Sequence, residues 1–263
     1  MNLNTNAKIT WCPGCGNFGI LTAAKNAIEE LGNNEKTVIV SGIGCHAKIV
    51  DYINVNSFYS IHGRVPPTAT GVKLANPDLN VIGFAGDGDA YGEGLEHLIF
   101  AAKRNINITM IIHDNRIYAL TTGQFSPTSP EGFKGKSTPK GSVEEPFNPI
   151  KLMIASGATF VARSFAGDIK HLKEMIIEGV KHKGFSVIDV LQPCITFFNT
   201  YDYYRQNTYK LENHNFTDEK KAIEKAEEWN YNDGGKIPLG IFYKVDKPTY
   251  DELLLKGRNP RKM

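Results

Sequence analysis

The chain has 263 residues, 41% hydrophobic and 22% charged, long enough to bury a sizeable core. Thirty Lys and Arg against 28 Asp and Glu leave a net charge of +2, too balanced to point to nucleic acid or an acidic membrane surface. No run approaches the ~18–20 consecutive apolar residues of a membrane span, and the opening MNLNTNAKITW lacks the pattern of a secretory leader. A soluble, cytoplasmic protein is expected, in which four cysteines are poor candidates for structural disulfides.

In chain order, residues 17–31 read as a helix with Ile20, Ala24, Ala27 and Leu31 on one face. Residues 37–43 (TVIVSGI) and 81–85 (VIGFA) are apolar, β-branched runs that read as buried strands. A helix is expected over 94–104, with Leu95, Leu98 and Ala102 inward, and a strand over 108–113 (ITMIIH). Residues 121–150 lack periodicity and hold five of the 13 prolines and four glycines. Such a stretch is usually a functional loop or a partner-covered excursion. A weaker strand follows at 158–162, then a helix over 168–182 aligning Leu172, Met175, Ile176 and Val180, with Asp168 placed to cap it. Residues 186–191 (SVIDVL) read as the last buried strand of the main domain. After Leu211 come a charged helix near Thr217, a strand at 241–245 and a basic tail. Residues 1–211 thus read as one domain and 212–263 as a C-terminal appendage.

Continuous apolar strands alternating with amphipathic helices predict an α/β fold, a mostly parallel sheet with helices on both faces. Ligands in such folds gather at the carboxyl ends of the strands. Four of those ends carry unusual chemistry: Gly42-Ile43-Gly44-Cys45, Gly86-Asp87-Gly88, Asp114-Asn115 and Gln192-Pro193-Cys194. They look like one shared site.

Gly86-Asp87-Gly88 leaves a strand and enters a helix, where glycines allow close backbone approach and helix-start amides favour a phosphate. Asp87, with little steric cover expected, is a hard oxygen donor, and Asn115 offers an amide oxygen 28 positions later. A carboxylate, an amide oxygen, a backbone carbonyl and diphosphate oxygens would suit octahedral Mg²⁺. An ordinary turn is the plain alternative for the tripeptide taken alone.

Cys12-Pro13-Gly14-Cys15 is a Cys-x-x-Cys pair, ambiguous between redox disulfide, zinc and iron–sulfur. Cys45 and Cys194 each sit at an expected strand end. Parallel strands would carry all four thiols to one edge, suiting zinc or a [4Fe–4S] cluster; otherwise these two are merely buried small hydrophobes.

The order of WCPGCGNFGIL, SGIGCHAKI, HGRVPPTATGVKLANPDL, GDGDAYGEGLEH, HDNRIYALTTGQFSPTS and VLQPCITFFNTYDYY resembles the β subunit of 2-oxoacid:ferredoxin oxidoreductases. The closing IPLGIFYK and KPTYDELL match too, so the resemblance covers nearly the whole chain. It implies a thiamine-diphosphate-binding fold and CoA-dependent oxidative decarboxylation of a 2-oxoacid, pyruvate or 2-oxoglutarate, with electrons passed through a [4Fe–4S] cluster to ferredoxin. Cys12, Cys15, Cys45 and Cys194 then match the cluster ligands, and Asp87, Asn115 and the Ile117 carbonyl the Mg²⁺ ligands. Ile43, Gly44, Cys45, His46, Gly88, Asp89, Ala119 and Leu120 fall where the family contacts the cofactor. His62 is either a polar contact to cofactor or substrate or a support for its loop.

Three departures from the family's pattern matter. His46 stands where many relatives have Ser or Thr. Asp114-Asn115 and Tyr118-Ala119 replace the common Asn-Asn and Tyr-Gly. Thr122 stands where some relatives have Lys, which bears on recognition of the substrate carboxylate. The resemblance also implies that an α (or α/γ) partner supplies the carboxylate that activates the aminopyrimidine, so that this chain alone is inert. The rival readings are a non-redox thiamine-diphosphate decarboxylase subunit and a zinc-stabilised interaction subunit.

Overall fold

The structure, a computed structural model, describes residues 2–232 and 234–262, so Met1 and Met263 at the limits of the 1–211 and 212–263 division fall outside it. Among the described residues the strands are β1 (Thr37–Ser41), β2 (Asn56–Tyr59), β3 (Asn80–Gly86), β4 (Thr109–Asp114), β5 (Ile117–Tyr118), β6 (Gln124–Phe125), β7 (Phe160–Phe165), β8 (Ser186–Leu191), β9 (Thr208–Lys210) and β10 (Ile237–Lys244). The α-helices are α1 (Asn17–Leu31), α2 (Ile49–Tyr52), α3 (Val65–Ala75), α4 (Leu95–Arg104), α5 (Pro149–Ala155), α6 (Ile169–Lys181), α7 (Tyr201–Asn207), α8 (Glu219–Ala226) and α9 (Tyr250–Leu255). None is long and apolar enough to cross a membrane.

Eight strands form one sheet in the order β2-β1-β3-β4-β8-β7-β10-β9. The pairings from β2 through β7 are all parallel, and β10 runs antiparallel to β7. Successive strand residues point to opposite faces. Val38 and Val40 join one core with Met110, Ile112 and Val187, while Ile39 joins the other with Ile111 and Ile188. Helices α3, α4, α5 and α8 cover the first face, and α1, α2 and α6 the second. The expected mostly parallel sheet with helices on both faces is what forms.

Local chemistry explains the ends of the long helices. Asp168 accepts from the His171 amide at 3.0 Å and starts α6, as its position suggested. Gly32, in the left-handed conformation, closes α1. Helix α3 lies outside the expected set. Its opening Val-Pro-Pro suits a first turn, where no amide needs an intrahelical partner, but the pattern reads as loop in isolation.

Residues 212–263 contribute more than surface. Strand β10 extends the main sheet, and α8 packs its buried Ala222 and Ala226 into the first core. Between them Trp229 and Tyr231 stack at 4.2 Å and present their faces to two buried arginines. Arg163 lies 5.2 Å from the Trp229 ring centre, and Arg116 lies 5.3 Å from it. Trp229→Ala is expected to cost about 3–5 kcal/mol of stability in denaturant unfolding, with Trp229→Phe losing less.

Candidate active site

Strands β1, β3, β4 and β8 are consecutive in the sheet, so their carboxyl ends form one edge. From β1 the chain moves outward to β2, and it returns to β3 on the other side, which makes β1/β3 the point where connections diverge. A cleft opens there. It is lined by Ile43, Gly44, Cys45, His46, His62, Asp87, Gly88, Asp89, Asn115, Ile117, Ala119 and Leu120, so every residue expected at the diphosphate and its metal meets in one place.

Asp87 is not the open donor its glycine neighbours suggest: it is 1% exposed. Its Oδ2 accepts from the Thr128 hydroxyl at 3.0 Å, and that hydroxyl also stands 2.8 Å from Asp114 Oδ1. Burial pushes the Asp87 carboxyl up to about 6, opposed by the Ser126 and Thr128 hydroxyls. Burial, then the neighbouring Asp189 and Asp87, raise Asp114 well above the carboxylate range. A neutral Asp114 leaves Asp87 as the carboxyl that ionises near neutral pH.

The turn after β4 leaves an amide oxygen with bonding capacity to spare. Asn115 Oδ1 accepts from the Ile117 amide at 3.1 Å, keeping a second lone pair free. Between them Arg116 adopts a left-handed φ of 63°, a strained state for a long side chain. Its amide donates to Asp114 Oδ1 at 3.1 Å, Nε to Thr128 O at 3.0 Å, and Nη2 to Tyr231 O. Ser129 Oγ donates to the Arg116 carbonyl at 2.5 Å. Residues 126–129 and the C-terminal segment therefore both hold the turn at Arg116.

Across the cleft, Asp89 is buried and accepts from the Gly63 amide at 2.6 Å. His62 Nδ1 lies 3.2 Å from Asp89 Oδ1, and His46 Nε2 lies 3.3 Å from Oδ2. Neither pair is aligned as a hydrogen bond, so both nitrogens and Oδ2 have only this oblique ion-pair contact within the protein. Such atoms suit a polar ligand. Gly42 makes room, because a Cβ there would fall inside the Asp89 carboxylate.

A second cavity of about 240 Å³ adjoins the cleft and is lined by Cys12, Cys15, Cys45 and Cys194, all free thiols. Trp11 anchors the Cys-x-x-Cys turn by donating Nε1 to the Cys45 carbonyl at 2.6 Å. Burial pushes the Cys15 thiol up to about 11, against the Asn17 amide, and Cys194, Cys45 and Cys12 push it the same way. Four thiols this close cannot all ionise unless a cation compensates them. Among the described residues no three His, Cys, Asp or Glu converge tightly enough to hold one ion.

Residues 42–190 match the thiamine pyrophosphate enzyme C-terminal TPP-binding domain, and residues 194–258 match the C-terminal region of the pyruvate ferredoxin oxidoreductase β chain. The chain is 48% identical to the 2-oxoacid:ferredoxin oxidoreductase 1 β subunit of Aeropyrum pernix, over 95% of this chain and 82% of the relative. It belongs to the β subunits of the 2-oxoacid:ferredoxin oxidoreductases. The β subunit of Saccharolobus solfataricus is 46% identical, over 95% and 86% of the two chains. A 2-oxoglutarate:ferredoxin oxidoreductase structure from Magnetococcus marinus, with 2-oxoglutarate, coenzyme A and succinyl-CoA bound, superimposes with a TM-score of 0.93 at 38% identity. That match covers 99% of this chain and 92% of the other.

In this β subunit, three residues outside the expected set shape the site. Thr128 lies in a Ser-Pro-Thr-Ser-Pro run whose hydroxyls were the only hint. Gln192 precedes the Pro-Cys pair, lines the cysteine cavity and is hydrogen-bonded to Asn115, which lines both cavities. Lys136 donates to Thr122 Oγ1 at 3.2 Å, so a cation stands beside the position that sequence alone leaves uncharged. Thr128→Val removes the donor to a buried carboxylate and is expected to cost about 1.5–3 kcal/mol above pH 6, where Asp87 is ionised. Because the raised Asp87 carboxyl is neutral at pH 5, the deficit should shrink there, as urea unfolding in chelator at the two pH values would read.

Proposed function

We propose that this β subunit holds thiamine diphosphate through Mg²⁺ in the cleft and a [4Fe–4S] cluster in the cysteine cavity. With an α (or α/γ) partner it carries out CoA-dependent oxidative decarboxylation of a 2-oxoacid, pyruvate or 2-oxoglutarate, and delivers the electrons to ferredoxin. The observation that carries this reading is the shared wall: Cys45 and Asn115 line both cavities. A redox centre set directly against a cofactor site is what single-electron drainage requires.

When bound, thiamine diphosphate supplies the electron sink for loss of CO₂, and the cluster accepts electrons one at a time. The chain's own part is placement. Asp87, Asn115 Oδ1 and the Ile117 carbonyl are the proposed Mg²⁺ donors, and their mixed oxygen chemistry fits a hard ion that retains phosphate ligands. His46, His62 and Asp89 line the cleft and can orient the cofactor. Exposed Ile43, Ile61, Leu120 and Phe197 stand at or near the mouths of the cavities, a surface suited to cover by a partner that excludes water.

Anaerobic purification with the partner, assaying iron, sulfide, zinc and thiamine diphosphate per chain, tests the reading. Iron, sulfide and thiamine diphosphate together are expected; zinc without iron would sink the redox assignment. Asp87→Ala should abolish Mg²⁺-dependent cofactor retention and leave the iron content intact. Protons compete with Mg²⁺ for Asp87, so equilibrium dialysis should show retention falling about tenfold per pH unit below about pH 6.

A further inference from the structure

Gln192 lines the cysteine cavity and is hydrogen-bonded to Asn115, a residue of the cleft, and we propose that Gln192 is a positioning residue that couples the cluster to the metal–diphosphate site. The inference rests on the cluster and metal readings above. Gln192 is 1% exposed, just beyond β8, and its amide is engaged at both ends. Its Oε1 accepts from Asn115 Nδ2 at 3.2 Å, while Nε2 donates to Cys15 Sγ at 3.6 Å and to the Pro193 carbonyl at 2.9 Å.

This orientation has no workable alternative. Exchanging the ends of the amide would set Oε1 against the Pro193 carbonyl and the Cys15 sulfur, and set two donors against each other at Asn115. Asn115 is oriented by the same bond: with its nitrogen committed to Gln192, its oxygen faces the cation position. The close approach depends on Gly16, where a Cβ would meet Gln192 Cγ at 2.8 Å. Gly16 also donates its amide to the Pro193 carbonyl at 3.2 Å, tying the Cys-x-x-Cys turn to the end of β8.

The outcome is a directed chain of two amides. The Asn115 N–H points to the Gln192 oxygen and the Gln192 N–H to Cys15 Sγ, and the Asn115 oxygen keeps a lone pair that a cation in the cleft would take. A cation on the Asn115 oxygen draws density from that amide and makes its N–H a stronger donor. The polarisation passes through Gln192 to the N–H···S bond. Donors to cluster sulfurs favour the reduced, more negative cluster and so raise its potential. Loading the cleft therefore makes the cluster a better electron acceptor, with no bond broken and no proton moved.

The test uses the anaerobic holoenzyme as wild type, Gln192→Glu and Gln192→Met. Iron and thiamine diphosphate are assayed per chain, and the cluster's midpoint potential is titrated by EPR with and without Mg²⁺–thiamine diphosphate. The wild type should shift to more positive potential on loading. Both variants should keep their iron, sit at more negative potential, and lose the loading-dependent shift. With glutamine side chains labelled by ¹⁵N, pulsed EPR of the reduced wild-type cluster should show a nitrogen coupling, since Gln192 is the one glutamine lining the cysteine cavity among the described residues. That coupling decides the question if the variants fail to fold. A shift that survives in an iron-replete Gln192→Met protein, or an absent ¹⁵N coupling, overturns the bridge alone. A wild type without iron overturns the cluster reading, and the bridge with it.

Discussion

Burial of the Asp87 carboxyl is the constraint around which the site is assembled. A carboxylate removed from water needs donors or a cation, and isolated it would stay protonated. The fold supplies the Ser126 and Thr128 hydroxyls and nearby backbone amides, and burial raises the neighbouring Asp114 well above its ordinary range. What remains uncompensated is a charge that a divalent ion would satisfy. The left-handed Arg116 serves the same arrangement, because it lies in the turn between Asn115 and Ile117, both of which line the cleft.

That strained turn is held by parts of the chain far away in sequence. Arg116 is gripped by Thr128 on one side and by Trp229 and Tyr231 on the other. The 121–150 loop and the segment after 211 therefore act on the site through packing, although neither carries a proposed metal donor. Arg163 and Asp189 continue the same network beneath the sheet, with Asp189 accepting from the Tyr231 hydroxyl at 2.5 Å and the Tyr91 hydroxyl at 2.9 Å. A buried network of this kind is stable only when its members are satisfied together.

Much of the fold was legible because strand periodicity and chemistry coincide. Runs such as TVIVS and SVIDVL are apolar on both faces, which only a doubly covered parallel sheet explains. The residues that break the pattern sit at the strand ends, where such a sheet leaves space for ligands. Helix α3 and edge strand β2 were less legible. The first opens with two prolines and contains a glycine, and the second is exposed along its length, so neither shows the usual period.

The sequence by itself determined the sheet, the order of its strands' chemistry, and the four cysteines and polar strand-end residues that gather at one edge. These follow from local periodicity and from the rule that parallel strands deliver their carboxyl ends together. Only the tertiary structure decided that Asp87 is buried, that Thr128 stands between two carboxyls, and that Gln192 of the cysteine cavity is bonded to Asn115 of the cleft. Those facts depend on residues 41 and 77 positions away from Asp87 and Asn115, respectively. No local pattern encodes such distances; packing of the loop and of β8 against the edge creates them.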